Sequence, residues 1–274
     1  MFGGLNSRLP AAALALGLMT RPLSCQTFEV ASIKPSAVDR DKAYVQAIPG
    51  RLLMENFAAR TLITLAFGVE GYQVSGGPFW MESEHYDIQA KAEGNASVQQ
   101  MEGPMLQALL IDRFQLKFHR EMKPMPVYEL TVAGSVRLKA SQPGSCIPYD
   151  RNAPPPLAPV PGAPRPNFCG FPRAGGTGLN RTLDGADIAV SALAKALERG
   201  ELHRPVIDRT GLPGTFDLHL QWTSDSTGVP ADFDAVDRVS IFTAVKEQLG
   251  LKLQPARGAV EVLVIDRMEK PAPN

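Results

Sequence analysis

The sequence predicts an α+β protein built as two similar repeats, each a mainly antiparallel sheet with helices packed on one face. Three observations carry this. Strands with period-two alternation recur with helical patterns between them. A Pro/Gly-rich stretch divides the chain into parts of similar size. The order of helix, turn and alternating strand is the same on both sides of it. The expected organisation is a signal peptide over 1–26, a first α+β repeat over 27–140, a linker over 141–178 and a second α+β repeat over 179–270.

The first element is not part of the fold. Arg8 is followed by the unbroken apolar run Pro10 to Met19, closed by Thr20 and Arg21. About 20 apolar residues are needed to span a bilayer. A run of roughly half that length fits a signal-peptide core; the alternative is a buried N-terminal helix. No later stretch is long and apolar enough to span a membrane, so export to the periplasm or the exterior is expected. Pro22-Leu23-Ser24-Cys25 partly resembles a lipoprotein signal, with Cys25 as a candidate anchor, although Pro22 is poor at its position.

A strand is expected over Phe28 to Ile33, ahead of the first repeat. Asn56 and Asp187 then stand as candidate N-caps, since their side chains can accept from free backbone N–H groups. Each opens a helical pattern, with Leu62, Ile63, Leu65 and Ala66 in the first repeat and Leu193, Ala194, Ala196 and Leu197 in the second. Short strands around Tyr72–Val74 and Pro205–Ile207 follow, then turns at Gly76-Gly77-Pro78 and Gly211-Leu212-Pro213-Gly214. Alternation puts Tyr86, Ile88 and Ala90 on one face, and Phe216, Leu218, Leu220 and Trp222 on one face in the second repeat. Helices carry Met101, Met105, Leu106, Leu109 and Leu110, and Val239, Phe242, Val245 and Leu249. Segments 114–118 and 249–253 follow, and last strands are expected over Val127–Val132 and Val260–Ile265.

Residues 152–166 hold a dense run of prolines, and 174–178 are glycine-rich. Such chain stays extended and unpacked. The expected linker over 141–178 contains Cys146 and Cys169, the pair left if Cys25 is removed with the leader. In an exported protein an even pair reads as a disulfide, which over this span contributes about 3 kcal/mol. Free thiols and a metal pair are the alternatives, the latter disfavoured by the lack of a neighbouring histidine.

Charge and motif content narrow the function. The 274 residues carry 28 basic and 28 acidic side chains, a formal net charge of zero. Nucleic-acid binding would call for a basic excess, so no nucleic-acid partner is expected. His85, His119, His203 and His219 form no pair at metal-ligand spacing, and the first, second and fourth fall on the outward phase of their strands. There is no Gly-x-Ser-x-Gly, no phosphate loop and no dinucleotide fingerprint. No catalytic residue, metal ligand or cofactor is expected. Three Ile-Asp-Arg triplets, at 111–113, 207–209 and 265–267, read as element ends with Asp capping a turn. Phe79-Trp80, two large aromatics after a Gly-Gly-Pro turn, are the candidate interaction surface, since aromatics dominate interface energies; the bland alternative is that they fold back onto the sheet edge.

Several of these segments also resemble a known family. Phe28-Glu29-Val30-Ala31-Ser32-Ile33-Lys34-Pro35, Gly76-Gly77-Pro78-Phe79-Trp80, Tyr86-Asp87-Ile88, Asp112-Arg113-Phe114, Cys169-Gly170, Val206 to Leu212 and Gly214-Thr215-Phe216-Asp217 are similar to an uncharacterised secreted family expanded in soil acidobacteria. The likeness covers the chain beyond the leader. It implies export, and a domain that in some relatives is attached to membrane-embedded metallopeptidase sensors of the antibiotic-receptor type. Peptidase activity is not implied here, because His-Glu-x-x-His is absent. Each repeat also resembles, in architecture, the short N-terminal domains of secretins and outer-membrane transporters. The expected function is a non-catalytic extracytoplasmic binding, interaction or sensing module whose partner is an envelope protein or cell-wall component. The alternatives are a hydrolase-type enzyme with its site between the repeats, and a structural envelope component.

Overall fold

A computed structural model of the chain describes residues 27–37, 43–150, 152, 166–224 and 239–272. The expected leader, Cys25 and most of the Pro-rich stretch lie outside the described residues. The fold is α+β, and its described strands form three four-stranded sheets that are mainly antiparallel.

The first unit starts with β1 (Phe28–Pro35), β2 (Tyr44–Ile48) and β3 (Arg51–Ala58), followed by α1 (Ala59–Phe67), β4 (Val74–Gly76), α2 (Trp80–Ser83) and β5 (His85–Ala92). Next come α3 (Val98–Gln100), a distorted turn over Met101–Met105 that contains Pro104, α4 (Leu106–Arg113) and β6 (Lys117–Val132). The first sheet runs β1-β5-β3-β2. Tyr86, Ile88 and Ala90 of β5 are buried, as their alternation predicts, and so are Leu62, Ile63 and Ala66 of α1 and Leu106, Leu109 and Leu110 of α4.

The second unit repeats the order. It comprises β7 (Lys139–Ala140), β8 (Arg173–Thr177), β9 (Asn180–Ala189), α5 (Val190–Leu197), β10 (Val206–Asp208), β11 (Thr215–Thr223), α6 (Ile241–Leu249) and β12 (Leu251–Arg267). Its sheet runs β7-β11-β9-β8. The glycine-rich residues 173–177 are thus an edge strand, where the sequence reads as connector. Leu218, Leu220 and Trp222 are buried and Phe216 is half-buried. The buried face of α6 is Ile241, Ala244, Val245 and Leu249, so the helical phase begins at Ile241 and leaves Val239 and Phe242 exposed.

Asn56 and Asp187 are not helix caps. The caps of α1 and α5 are Ala58 and Ala189, extended and without a side-chain hydrogen bond. Asn56 and Asp187 instead lie in the left-handed region, at φ 62° and 59°. Each sits where the register with the neighbouring strand shifts, between Met54 and Phe57 in β3 and opposite the Phe216–Leu218 shift in β11. Asn and Asp tolerate this conformation better than other residues with a Cβ. They form the bulges that turn each strand toward its helix.

The third sheet joins the units. The strands expected after 114–118 and 249–253 are single continuous strands, β6 and β12, paired antiparallel from Lys117–Arg267 to Val132–Leu251. On its outer edges β10 of the second unit pairs parallel with β6, and β4 of the first pairs parallel with β12. Tyr128 and Leu263, the residues that meet Val206 and Val74, each lie four positions beyond the central Pro124–Ala259 pair. The ribbon is therefore pseudo-twofold.

Its consequence is an exchange of core residues. Leu263 and Ile265 of β12, with the following Met268, pack into the first unit's core beside Leu62, Tyr86 and Phe114. Leu130 of β6 packs into the second unit's core beside Leu193, Leu220 and Val245. At Gly76 (φ 74°) an added Cβ would come within 2.8 Å of Ile265 O, so only glycine lets β4 approach β12 there.

Candidate functional site

The structure separates the two aromatics of the Phe79-Trp80 pair. Phe79 is 84% exposed. Trp80 packs inward, its ring stacked at 6.5 Å on Phe114 and edge-on at 6.3 Å to Tyr86. Tyr86 also donates its hydroxyl to Glu84 Oε2 at 3.1 Å, and burial followed by this bond raises its pKa. Lys270 bonds Glu84 from the other side and holds that carboxyl below its ordinary range.

Cys146 and Cys169 form a disulfide, with Cα atoms 5.1 Å apart. Around it Cys169 N–H donates to Ile147 O at 2.9 Å, and Gly170 N–H donates to Ala186 O of β9 at 2.9 Å. Tyr149 meets Phe168 and Phe171 edge-on at 5.0 and 4.6 Å beside it. Asp187 completes a trio whose ligand atoms lie within 4.8 Å of one another. A metal would need thiolates, and both sulfurs are committed to the disulfide.

The histidines and triplets stay apart. His119 and His219 are exposed on the outward phase, and each faces an aspartate. Nδ1 of His119 lies 2.9 Å from Asp266 Oδ1, and Nδ1 of His219 lies 2.6 Å from Asp184 Oδ1. His85 and His203 are exposed. Of the triplets, Asp208 forms the expected turn, accepting from Thr210 N–H at 2.9 Å and Thr210 Oγ1 at 2.8 Å. Asp266 instead faces His119, and Arg113 ends α4.

Between the units stands a buried carboxylate that the sequence did not single out. Glu198, 3% exposed, follows α5. It accepts from Tyr72 Oη at 2.6 Å, Lys195 Nζ at 3.0 Å and Val206 N–H at 3.1 Å. Burial, then the bond to Glu198, pushes the Tyr72 phenol well up. Arg199 and Glu70 pair at 2.5 Å alongside. Three donors satisfy this carboxylate, so the cluster fastens the first unit's turn at Tyr72 to the second unit.

A cleft of about 660 Å³ lies in the second unit. One wall is the edge strand β8, through Ala174, Gly175 and Gly176; the other is the end of α5 and the turn after it, through Ala196, Leu197 and Gly200. The floor is Leu183 and Trp222. Register places Arg181 opposite Trp222 and Leu183 opposite Leu220, so Arg181 shares the helix-facing side of the sheet with the indole. Glu201, His203 and Ser224 stand at the rim, where Ser224 Oγ donates to Glu201 Oε1 at 2.9 Å. Trp222 is 7% exposed, and its indole N–H is buried with no acceptor among the described residues. The side chains of Arg181 and His203 form no hydrogen bond or ion pair among the described residues.

Alternation placed Trp222 inward but did not mark a site. The available signal was chemical: an inward Trp carries a donor that needs an acceptor, and none is evident in its strand. The cleft also needs β8, which glycine content concealed.

A family described as Protein of unknown function (DUF3738) matches residues 60–268. The chain belongs to this family. The match runs through both units and the ribbon that joins them. No curated protein and no solved structure matches the chain.

Proposed function

We propose that the chain is an exported, non-catalytic binding module of the cell envelope whose ligand occupies the cleft of the second unit. The observation that carries this reading is the cleft. At about 660 Å³ it falls within the range of small-ligand sites, roughly 300–1,000 Å³. Its make-up also follows their pattern, an apolar floor with a few convergent polar groups. The disulfide fits an oxidising compartment, and no helix among the described residues is long and apolar enough to cross a membrane. The resemblance to secreted proteins of soil acidobacteria, some fused to antibiotic-receptor-type sensors, supports a sensing role outside the cytoplasm. Phe79 is the second candidate contact, suited to a protein partner such as the rest of a sensor.

The test is a screen of cell-wall fragments, short peptides, sugars and metabolites against the full chain, read by tryptophan fluorescence and thermal shift. Ligands should change emission in the wild type and not in Trp222→Phe, which leaves Trp80 as reporter. A screen in which no compound perturbs Trp222 sinks the reading.

A further inference from the structure

Resting on that reading, we infer that the cleft takes a ligand bearing a carboxylate, set on Arg181 and the indole N–H of Trp222. A buried N–H without a partner is rare in native structures and calls for an explanation. Trp222 is such a group, more than nine-tenths buried in the cleft floor. Arg181 lies directly across the β9–β11 pair on the same face, with its donors unused among the described residues. An indole and a guanidinium are both donors with no acceptor capacity. What completes them must supply lone pairs.

Charge and shape narrow the choice. Guanidinium matches a carboxylate through two parallel N–H···O bonds. Glu201 at the rim accepts from Ser224, and Arg181 and Trp222 are the cleft side chains that can only donate. Leu183, Ala196 and Leu197 leave apolar surface for the rest of the ligand. Both a peptide C-terminus and a sugar acid supply this chemistry.

Calorimetric titration of the full chain separates the sources and tests the inference. The probes are N-acetyl tripeptides with free C-termini against their C-terminal amides, and D-glucuronate against methyl glucoside. At least one acid should bind about 10- to 100-fold more tightly than its neutral counterpart, as expected for charge-assisted hydrogen bonds. Arg181→Gln, at a half-buried position, should remove that preference, lowering acid binding to the level of the neutral probe. Trp222→Phe should weaken the same acid. Acid and neutral probes binding alike, or a preference that survives Arg181→Gln, overturns the inference and leaves the binding module standing. No acid binding, with Trp222 responding to other compounds in the screen, overturns the inference alone. Silence of Trp222 toward every compound overturns both.

Discussion

The backbone N–H of Asn56 donates to Asp87 Oδ1 at 2.9 Å, tying the first bulge to the next strand. The second unit makes the same tie through one added hydroxyl. Asp187 N–H donates to Ser141 Oγ at 3.1 Å, and Ser141 Oγ donates to Asp217 Oδ1 at 2.6 Å. Thr215 Oγ1 further donates to Asp187 Oδ1 at 2.5 Å. Asp87 and Asp217, which follow Tyr86 and Phe216 in matched motifs, thus share a structural task. Replacing Asp87 by Ala orphans a half-buried N–H and should cost about 1–2 kcal/mol. Asn56→Ala should cost ~1 kcal/mol more than Asn56→Gly, because the left-handed conformation penalises alanine and not glycine. Urea denaturation measures all three; equal losses for Asn56→Ala and Asn56→Gly would show that φ at this position does not matter.

The exchange of core residues predicts that neither unit folds alone. Residues 27–140 by themselves would leave the pocket for Leu263, Ile265 and Met268 unfilled. Burying three such side chains contributes about 5–9 kcal/mol, comparable with the whole stability of a typical domain, roughly 5–15 kcal/mol. The fragment should lack a cooperative thermal transition, and mixing it with residues 141–274 should restore one. A sharp unfolding transition for 27–140 alone would refute the argument.

The Phe79-Trp80 pair should divide in mutagenesis as it does in space. Phe79→Ser removes an exposed ring and should change stability by less than about 0.5 kcal/mol. Trp80→Ala empties a place against Phe114 and Tyr86 and should cost about 3 kcal/mol. Thermal unfolding of the two variants distinguishes this from equal burial.

What was legible in the sequence was the part governed by periodicity. Tyr86, Ile88 and Ala90 face the core because alternation is local, and so do Leu193, Ala194 and Leu197 on α5. The long ribbon was not legible, because prolines interrupt its strand pattern. Pro124 and Pro126 share the phase of Tyr128, whose N–H points away from β12 to Pro205 O. Their missing N–H groups fall on the outer edge, where β10 does not reach. Asn56 and Asp187 misled for a related reason. Asn and Asp suit both N-caps and left-handed bulges, and the deciding partners, Asp87 and Ser141, are distant in sequence. The cleft required the pairing of β9 with β11, which no local pattern contains.

The Tyr72–Glu198 bond should be visible in alkaline unfolding. Tyr72 has a raised pKa in the fold, so the folded state holds its proton where the unfolded chain, near pH 10, releases it. Stability from this group is therefore complete below about pH 10 and declines as pH rises from there. Tyr72→Phe should flatten that decline. Glu198→Ala should cost about 1–3 kcal/mol at neutral pH, because it strands the buried Val206 N–H and the Tyr72 hydroxyl. The larger loss expected when a buried ion is left unpaired does not apply, since Lys195 is half exposed and can turn to water. Guanidinium melts at pH 7 and pH 10.5 check both statements.

The disulfide should stabilise one part of the molecule more than the rest. Closing a loop over a separation of 23 positions contributes about 3 kcal/mol at most, or a fall of roughly 6–12 °C in Tm on reduction. Its placement gives the effect an address. Cys169 bridges to Ala186 of β9, and Arg173 begins β8 four residues later. In Cys146→Ser/Cys169→Ser the backbone amides of β8 and its partners in β9 should exchange with deuterium faster. The amides of β3 and β5, in the first unit's sheet, should keep their protection. Since β8 walls the cleft, ligands identified by the Trp222 screen should bind the double variant more weakly at unchanged Trp222 burial. Uniform loss of protection across the sheets of both units would instead mean that the bond supports the whole fold.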